Sequence, residues 1–277
     1  MDRKKIKKLN NIAVDVRKDI VTISSSANIY HIASALSPVE LLVALYFHVM
    51  HIDPNNPRWS GRDRCVLSKG HGGAALFSVL YRRGFFSRKK LETFCQNGST
   101  LPTHPMMQSA PGVEATTGSL GHGLPIGLGM AMALRHEKRK NNVFVILSDG
   151  ECDEGSVWES ALYAGYHALD NLVVCIDYNK IQSFGRTAEV LDLEPLADKF
   201  RAFRWHVQEI DGHDISAITK AMEMAKKSKG NPHCIIAHTV KGRGISYMED
   251  QLEWHYKSPQ GKLLDQALRE LGIQYER

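Results

Sequence analysis

Two unbroken apolar runs, Val143-Phe144-Val145-Ile146-Leu147 and Leu172-Val173-Val174-Cys175-Ile176, constrain this chain more than any other feature. Consecutive rather than alternating apolar residues, rich in Val and Ile, suit strands buried on both faces. Between them, Glu154 to Leu169 is rich in Ala, Leu and Glu, which favours a helix. The pattern predicts a βαβ unit and, with it, an α/β fold: a parallel sheet flanked by helices on both faces. Each run empties into polar residues, the first into Ser148-Asp149-Gly150-Glu151, the second into Asp177-Tyr178-Asn179. Asp149 and Asn179 therefore stand side by side at the carboxyl ends of neighbouring strands, the rim on which open α/β sheets bind ligands.

A carboxylate and a carboxamide at adjacent strand tips offer oxygen ligands. Magnesium takes a few such oxygens and leaves its other positions to phosphate and water. Gly150 lets backbone approach closely, and the helix start behind it favours anions. The pair thus suggests a magnesium–diphosphate site. A calcium-loop reading of Asp149–Glu154 fails, because alternating ligands with glycine at the sixth position are missing.

At 277 residues, with 23% charged and 43% hydrophobic residues, the chain has the length and composition of a soluble globular domain. No apolar run is expected to reach the about eighteen residues of a membrane span. The basic start, Arg3-Lys4-Lys5-Ile6-Lys7-Lys8, has no signal core behind it. Five cysteines (65, 95, 152, 175 and 234) lack CxxC pairing, which suits reduced thiols in a cytoplasm, with Cys175 and Cys234 inside strands. The net charge of +5 comes without a basic aromatic face or a recognisable module, so nucleic acid is not an expected partner.

In chain order, Ile6, Leu9, Ile12, Val16 and Ile20 predict an amphipathic helix over 5–22, broken by Ser24-Ser25-Ser26. Pro38 suits the first turn of an apolar helix, Val39 to Met50. Asp63 to Ser68 reads as a strand ending at Lys69-Gly70-His71-Gly72-Gly73, and a helix follows from about Ala74. A surface helix is expected over 85–98, capped by Ser87. His104 sits in a proline-fixed loop, Leu101-Pro102-Thr103-His104-Pro105. The glycine-rich stretch 112–129 leads into a helix, Leu128 to Arg139, and a dinucleotide fingerprint fails there because the strand–glycines–helix–acid order is absent. Further strands are expected at 205–210 and 233–240, and helices at 196–203, 215–228 and 263–271. Asp211 to Asp214 reads as a turn and helix cap. Five histidines (31, 71, 104, 122 and 255) match no short zinc spacing.

Asp-Gly, about thirty residues and then Asn resembles the thiamin diphosphate motif, and the surrounding text resembles transketolase from about residue 15 to about 260. The resemblance rests on Leu67-Ser68-Lys69-Gly70-His71-Gly72, Gly112–Gly121, Ile210-Asp211-Gly212-His213-Asp214 and Thr239-Val240-Lys241-Gly242-Arg243-Gly244, in this order. It implies thiamin diphosphate with magnesium, or calcium or manganese in its place. Asp149, the Asn179 side chain and the Ile181 carbonyl would hold the metal. His71, Gly118, Ser119, Leu120, Asp149, Gly150, Glu154, Asn179, Ile181 and His255 would meet the cofactor. His31, His71, His104 and His255 would manage hydroxyl protons and oxyanion charge. Glu154 and Glu159 match glutamates near a dimer contact. Tyr30, Met106, His122 and Ser148 depart from the family's usual residues at their positions.

The family also needs a domain that holds the aminopyrimidine. The resemblance implies that residues 1–277 form the diphosphate-binding domain alone, without the pyrimidine-binding and C-terminal domains. The expectation is then the N-terminal subunit of a split transketolase, transferring a two-carbon ketol unit from a ketose or its phosphate to an aldose. It would work with a separate C-terminal subunit, as an α2β2 heterotetramer in the cytoplasm, in carbohydrate metabolism of the pentose phosphate kind. The rival readings are a subunit of another thiamin enzyme, such as a 2-oxoacid dehydrogenase component, and a non-catalytic cofactor-binding regulatory subunit.

Overall fold

The computed structural model describes residues 1–273. Five strands, β1 (Arg64–Leu67), β2 (Val143–Ser148), β3 (Leu172–Tyr178), β4 (His206–Asp211) and β5 (His233–His238), form one sheet in the order β1-β2-β3-β5-β4. Every neighbouring pair is parallel. Alternate strand residues enter two separate cores. Phe144, Ile146, Val173, Cys175 and Ile235 face one, and Val145, Leu147, Val174, Ile176 and Cys234 face the other. This two-sided burial is why β2 and β3 read as continuous apolar runs.

The helices are α1 (Arg3–Ala27), α2 (Ile32–Leu36), α3 (Val39–Ala44), α4 (Gly73–Arg83), α5 (Arg88–Leu91), α6 (Gly123–His136), α7 (Gly155–Tyr166), α8 (Thr187–Val190), α9 (Leu196–Ala202), α10 (Ile215–Lys227) and α11 (Gly261–Glu270). Residues of α1, α2, α3, α4, α10 and α11 build the first core, and those of α6, α7 and α9 the second. Helices on both faces are as expected. Asp211 accepts from the His213 N–H and Asp214 caps α10 through the Ser216 N–H, each at 2.8 Å, so the 211–214 stretch is the expected turn and cap.

Four local expectations change. The serines do not break α1: Ser24 and Ser25 are buried, and the Ser25 hydroxyl donates to the Pro259 carbonyl at 2.8 Å. The helix ends instead at Asn28, in the left-handed region (φ 47°). Against the reading of no long apolar run, Ile32–Val49 is long and apolar enough to cross a membrane, but it is nearly all buried inside the fold and serves as the core helical segment. Its last turn, Leu45–Val49, widens to a π-helix. The surface helix over 85–98 shrinks to α5, with no side-chain bond from Ser87, because the chain turns back at Cys95 (φ 55°). Finally, α6 begins at Gly123, five residues early, since glycines there let the helix lie against β1 and β2.

Candidate active site

The sheet's carboxyl edge carries the site. In the β2–β3 register Ser148 pairs with Asp177, so Asp149 and Asn179 follow at adjacent tips. They line a cavity of about 190 Å³ together with His31, His71, His104 and His255. Between the lining residues Lys69 and His71, Gly70 is required for a steric reason: a Cβ there would stand 2.7 Å from the Gly118 nitrogen, so the two glycine loops touch through backbone.

Asp149 is buried. Its carboxylate accepts from the Gly150 N–H at 2.8 Å and the Lys180 N–H at 2.5 Å. Burial, with the negative charge of Asp177, nonetheless lifts its pKa to about 6. Asn179 Oδ1 accepts from the Ile181 N–H at 3.1 Å, and the Ile181 carbonyl accepts from Lys241 Nζ at 2.9 Å. All three are oxygen donors with lone pairs to spare. A hard cation would supply the countercharge that Asp149 lacks. The residues present therefore fit magnesium and, beside it, the anionic end of a diphosphate.

Two buried lysines complete the wall. Lys69, fully buried, pairs with Asp177, which also accepts from the Ser37 hydroxyl at 2.6 Å and from Thr239. Burial alone would raise the Asp177 carboxyl, but the Lys69 charge and these hydrogen bonds outweigh it and hold the group below the usual range. Lys241 has no carboxylate partner among the described residues; burial and the nearby Lys69 bring its pKa down to about 8.

The four histidines form one cluster. The His31 ring lies 4.8 Å from His255, 5.6 Å from His71 and 5.9 Å from His104, centroid to centroid. Burial first, then His104 and both lysines, lowers His31 to about 4. Burial with Lys241, His31 and Lys69 lowers His255 to about 3. His71 is likewise pushed well down by burial and Lys69, and His104 by burial. All four rings are thus neutral at physiological pH. His31 also holds a left-handed backbone (φ 71°), unusual for a non-glycine residue, with its N–H bonded to the His255 carbonyl at 3.0 Å.

Of the residues expected at the cofactor, the cavity gathers His71, Gly118, Leu120, Asp149, Gly150, Asn179, Ile181 and His255. Ser119 and Glu154 are exposed and outside the lining of the cavity in this chain. Ser119 turns outward between two lining residues, and Glu154 is the residue before α7, making no capping bond. His122 is exposed as well, bonded to its neighbour's carbonyl.

Lys69, Lys241, Ser34, Gln182 and Ser183 also line the cavity, and the sequence reading gave none of them a role. Both lysines stood in quoted motifs, each followed by glycine just beyond a strand, and that was the available signal. Glu151 was missed too. It is fully buried and its carboxylate accepts from Ser68, from the Gly121 N–H at 2.9 Å and from the Ser148 N–H at 3.2 Å, joining three loops of the site.

Comparison with known proteins agrees with this geometry. The family model described as transketolase, thiamine diphosphate binding domain, matches residues 6–276. The 6-deoxy-6-sulfo-D-fructose transketolase subunit SqwG of a Clostridium species is 46% identical over 87% of this chain and 88% of its own length. An apulose-4-phosphate transketolase subunit of Phocaeicola vulgatus is 41% identical over 94% of this chain and 92% of its own. The crystal structure of Campylobacter jejuni transketolase superposes with a TM-score of 0.89 at 32% identity, covering 99% of this chain but 43% of that one. The chain therefore spans nearly the full length of the subunit-type relatives and less than half of that solved transketolase. With a model match over nearly its whole length and relatives of this identity, the chain belongs to the transketolase family, as its thiamin diphosphate-binding domain.

Proposed function

We propose that this chain is the diphosphate-binding subunit of a two-chain, thiamin diphosphate-dependent transketolase. It would move a two-carbon ketol unit from a ketose, or ketose phosphate, to an aldose or aldose phosphate. The observation that carries the reading is the convergence of the Asp149, Asn179 and Ile181 oxygens with four neutral imidazoles on one cavity.

In this reading Asp149, Asn179 and the Ile181 carbonyl hold magnesium, or calcium or manganese, and Gly150 admits the diphosphate. Thiamin diphosphate, when bound, supplies the electron sink for the carbon–carbon cleavage. The chain supplies the rest. His31, His71, His104 and His255, each with one donor and one acceptor nitrogen when neutral, bind sugar hydroxyls, move their protons and stabilise developing oxyanion charge. Buried Lys241, which bonds the Ile181 carbonyl and His255, adds a positive charge to the cavity wall, and Lys69 is matched there by Asp177.

The pyrimidine-binding part would come from a separate C-terminal transketolase subunit, in an α2β2 assembly. The names of the two subunit-type relatives, which match this chain in length, support that partnership. Five unpaired cysteines support a cytoplasmic setting. The test is native mass spectrometry of the chain co-expressed with the adjacent reading frame, with magnesium and thiamin diphosphate present. A heterotetramer carrying two cofactors is expected. A partnerless, cofactor-free chain would overturn the proposal.

A further inference from the structure

Lys241 is 2% exposed, and its Nζ meets two groups at 2.9 Å, the Ile181 carbonyl and Nδ1 of His255. An ammonium has three hydrogens and no lone pair, so toward Nδ1 it only donates. Nδ1 is then the bare ring nitrogen, and the hydrogen of the neutral imidazole sits on Nε2. The Ser34 hydroxyl, 3.4 Å from the same Nδ1, is a second and weaker neighbour on that side. Nε2 makes no hydrogen bond among the described residues, and His255 lines the cavity.

The lysine has little freedom to turn away. Its segment is tied on four sides: the Val240 N–H donates to His213 Nε2 at 2.8 Å, the Gly242 N–H to the Ala33 carbonyl at 3.0 Å, the Asp250 N–H to the Lys241 carbonyl at 2.9 Å, and Arg17 Nε to the Arg243 carbonyl at 2.9 Å. His213 is held in turn by Glu40, 3.0 Å from its Nδ1. His255 is fixed through its own carbonyl, which accepts from the His31 N–H. A second proton on His255 would place an imidazolium against one ammonium, with Lys69 nearby, in a buried setting.

We propose that Lys241 is a positioning residue that fixes His255 as the Nε2–H tautomer, so that His255 presents a hydrogen-bond donor, and not an acceptor, to an oxygen in the cavity. The identity of that oxygen, in substrate or cofactor, rests on the function proposed above; the tautomer does not.

The experiment is nitrogen-15 NMR of the full chain labelled at histidine, with His255 assigned by the signals lost in His255→Gln. The expected wild-type spectrum has a pyridine-type Nδ1 and a pyrrole-type Nε2 for this residue. Lys241→Met should convert that single tautomer into a mixture, and Lys241→Arg should restore it. Ser34→Ala should leave it in place. A protonated Nδ1 in the wild type overturns the proposal, and so does an unchanged tautomer in Lys241→Met. Should Lys241→Met fail to fold, the wild-type and Lys241→Arg spectra still decide. A chain that shows the tautomer but never binds thiamin diphosphate would break only the functional reading.

Discussion

At the carboxyl edge of the sheet, His31, His71, His104 and His255 surround a cavity; at the amino edge, where β5 begins, His233 packs on His206 with ring centroids 4.9 Å apart. Both places depress the basicity of imidazole. Burial and the neighbouring His206 take His233 to about 4, as low as His31, and neither of its nitrogens has a hydrogen-bond partner among the described residues. A lowered pKa therefore reports burial and does not by itself mark a site. What separates the two ends is company. The carboxyl edge adds open space, two lysines from beyond β1 and β5, and oxygen donors from beyond β2 and β3, whereas His233 fills a packed corner.

The largest expected effect is at the carboxyl edge. Lys69→Met strands the fully buried Asp177 carboxylate and should cost about 3–5 kcal/mol, read as a lower urea midpoint. The double variant Lys69→Met with Asp177→Asn should recover part of the loss. A Lys69→Met cost below about 1 kcal/mol would mean that the pair is solvated, and the contrast between the edges would weaken.

Next in size is ligand linkage. Magnesium with thiamin diphosphate should raise the stability of the complex with its partner subunit by about 2.7 kcal/mol at a hundredfold excess over the dissociation constant. Asp149→Asn should remove most of this thermal shift while leaving the ligand-free protein no less stable, since burial and Asp177 already disfavour that carboxylate. An undiminished shift would move the metal elsewhere.

Acid separates the edges more finely. A histidine whose folded pKa lies below its unfolded value stabilises the fold above the unfolded pKa, and that stability is lost as pH falls through the folded one. His31, His255 and His233 all have this sign, so stability should decline between about pH 6.5 and 4. His233→Leu should shallow that decline without removing it, and should change stability at pH 7 by less than about 1.5 kcal/mol. Urea midpoints at pH 7 and pH 5 provide the measurement. If the acid slope disappeared in His233→Leu, the cavity cluster would not be the neutral set described above.

The smallest effect lies away from both edges. Gly129, exposed in α6 with open space where a Cβ would be, should tolerate Ala with a gain of about 0.5–1 kcal/mol. Calorimetry of Gly129→Ala gives the scale against which the histidine effects are judged.

Much of the fold was legible because burial writes itself into local pattern. The runs at 143–147 and 172–176 are apolar at every position only because helices cover both faces of β2 and β3. Asp149 and Asn179 could be placed together because a βαβ unit leaves little choice of where its strand tips go. Errors fell where tertiary contacts override local chemistry: Ser24 and Ser25 stay helical because the fold buries them, and the 85–98 segment turns back early at Cys95. Which side chains of the 118–120 loop face the cavity was not legible either, since a motif names a loop without saying that Gly118 and Leu120 line the cavity and Ser119 does not.

The sequence by itself determined the sheet, the βαβ unit at its centre and the rim where ligands bind, because periodicity and chain connectivity are local properties. Only the tertiary structure decided which partners the buried charges meet. Lys69 finds Asp177 across 108 positions and Lys241 finds Ile181 across 60, pairings that no local pattern encodes. Those distant pairings, with the burial that folding imposes, set the charge states of the cavity, because electrostatic strength depends on separation in space and on the loss of water.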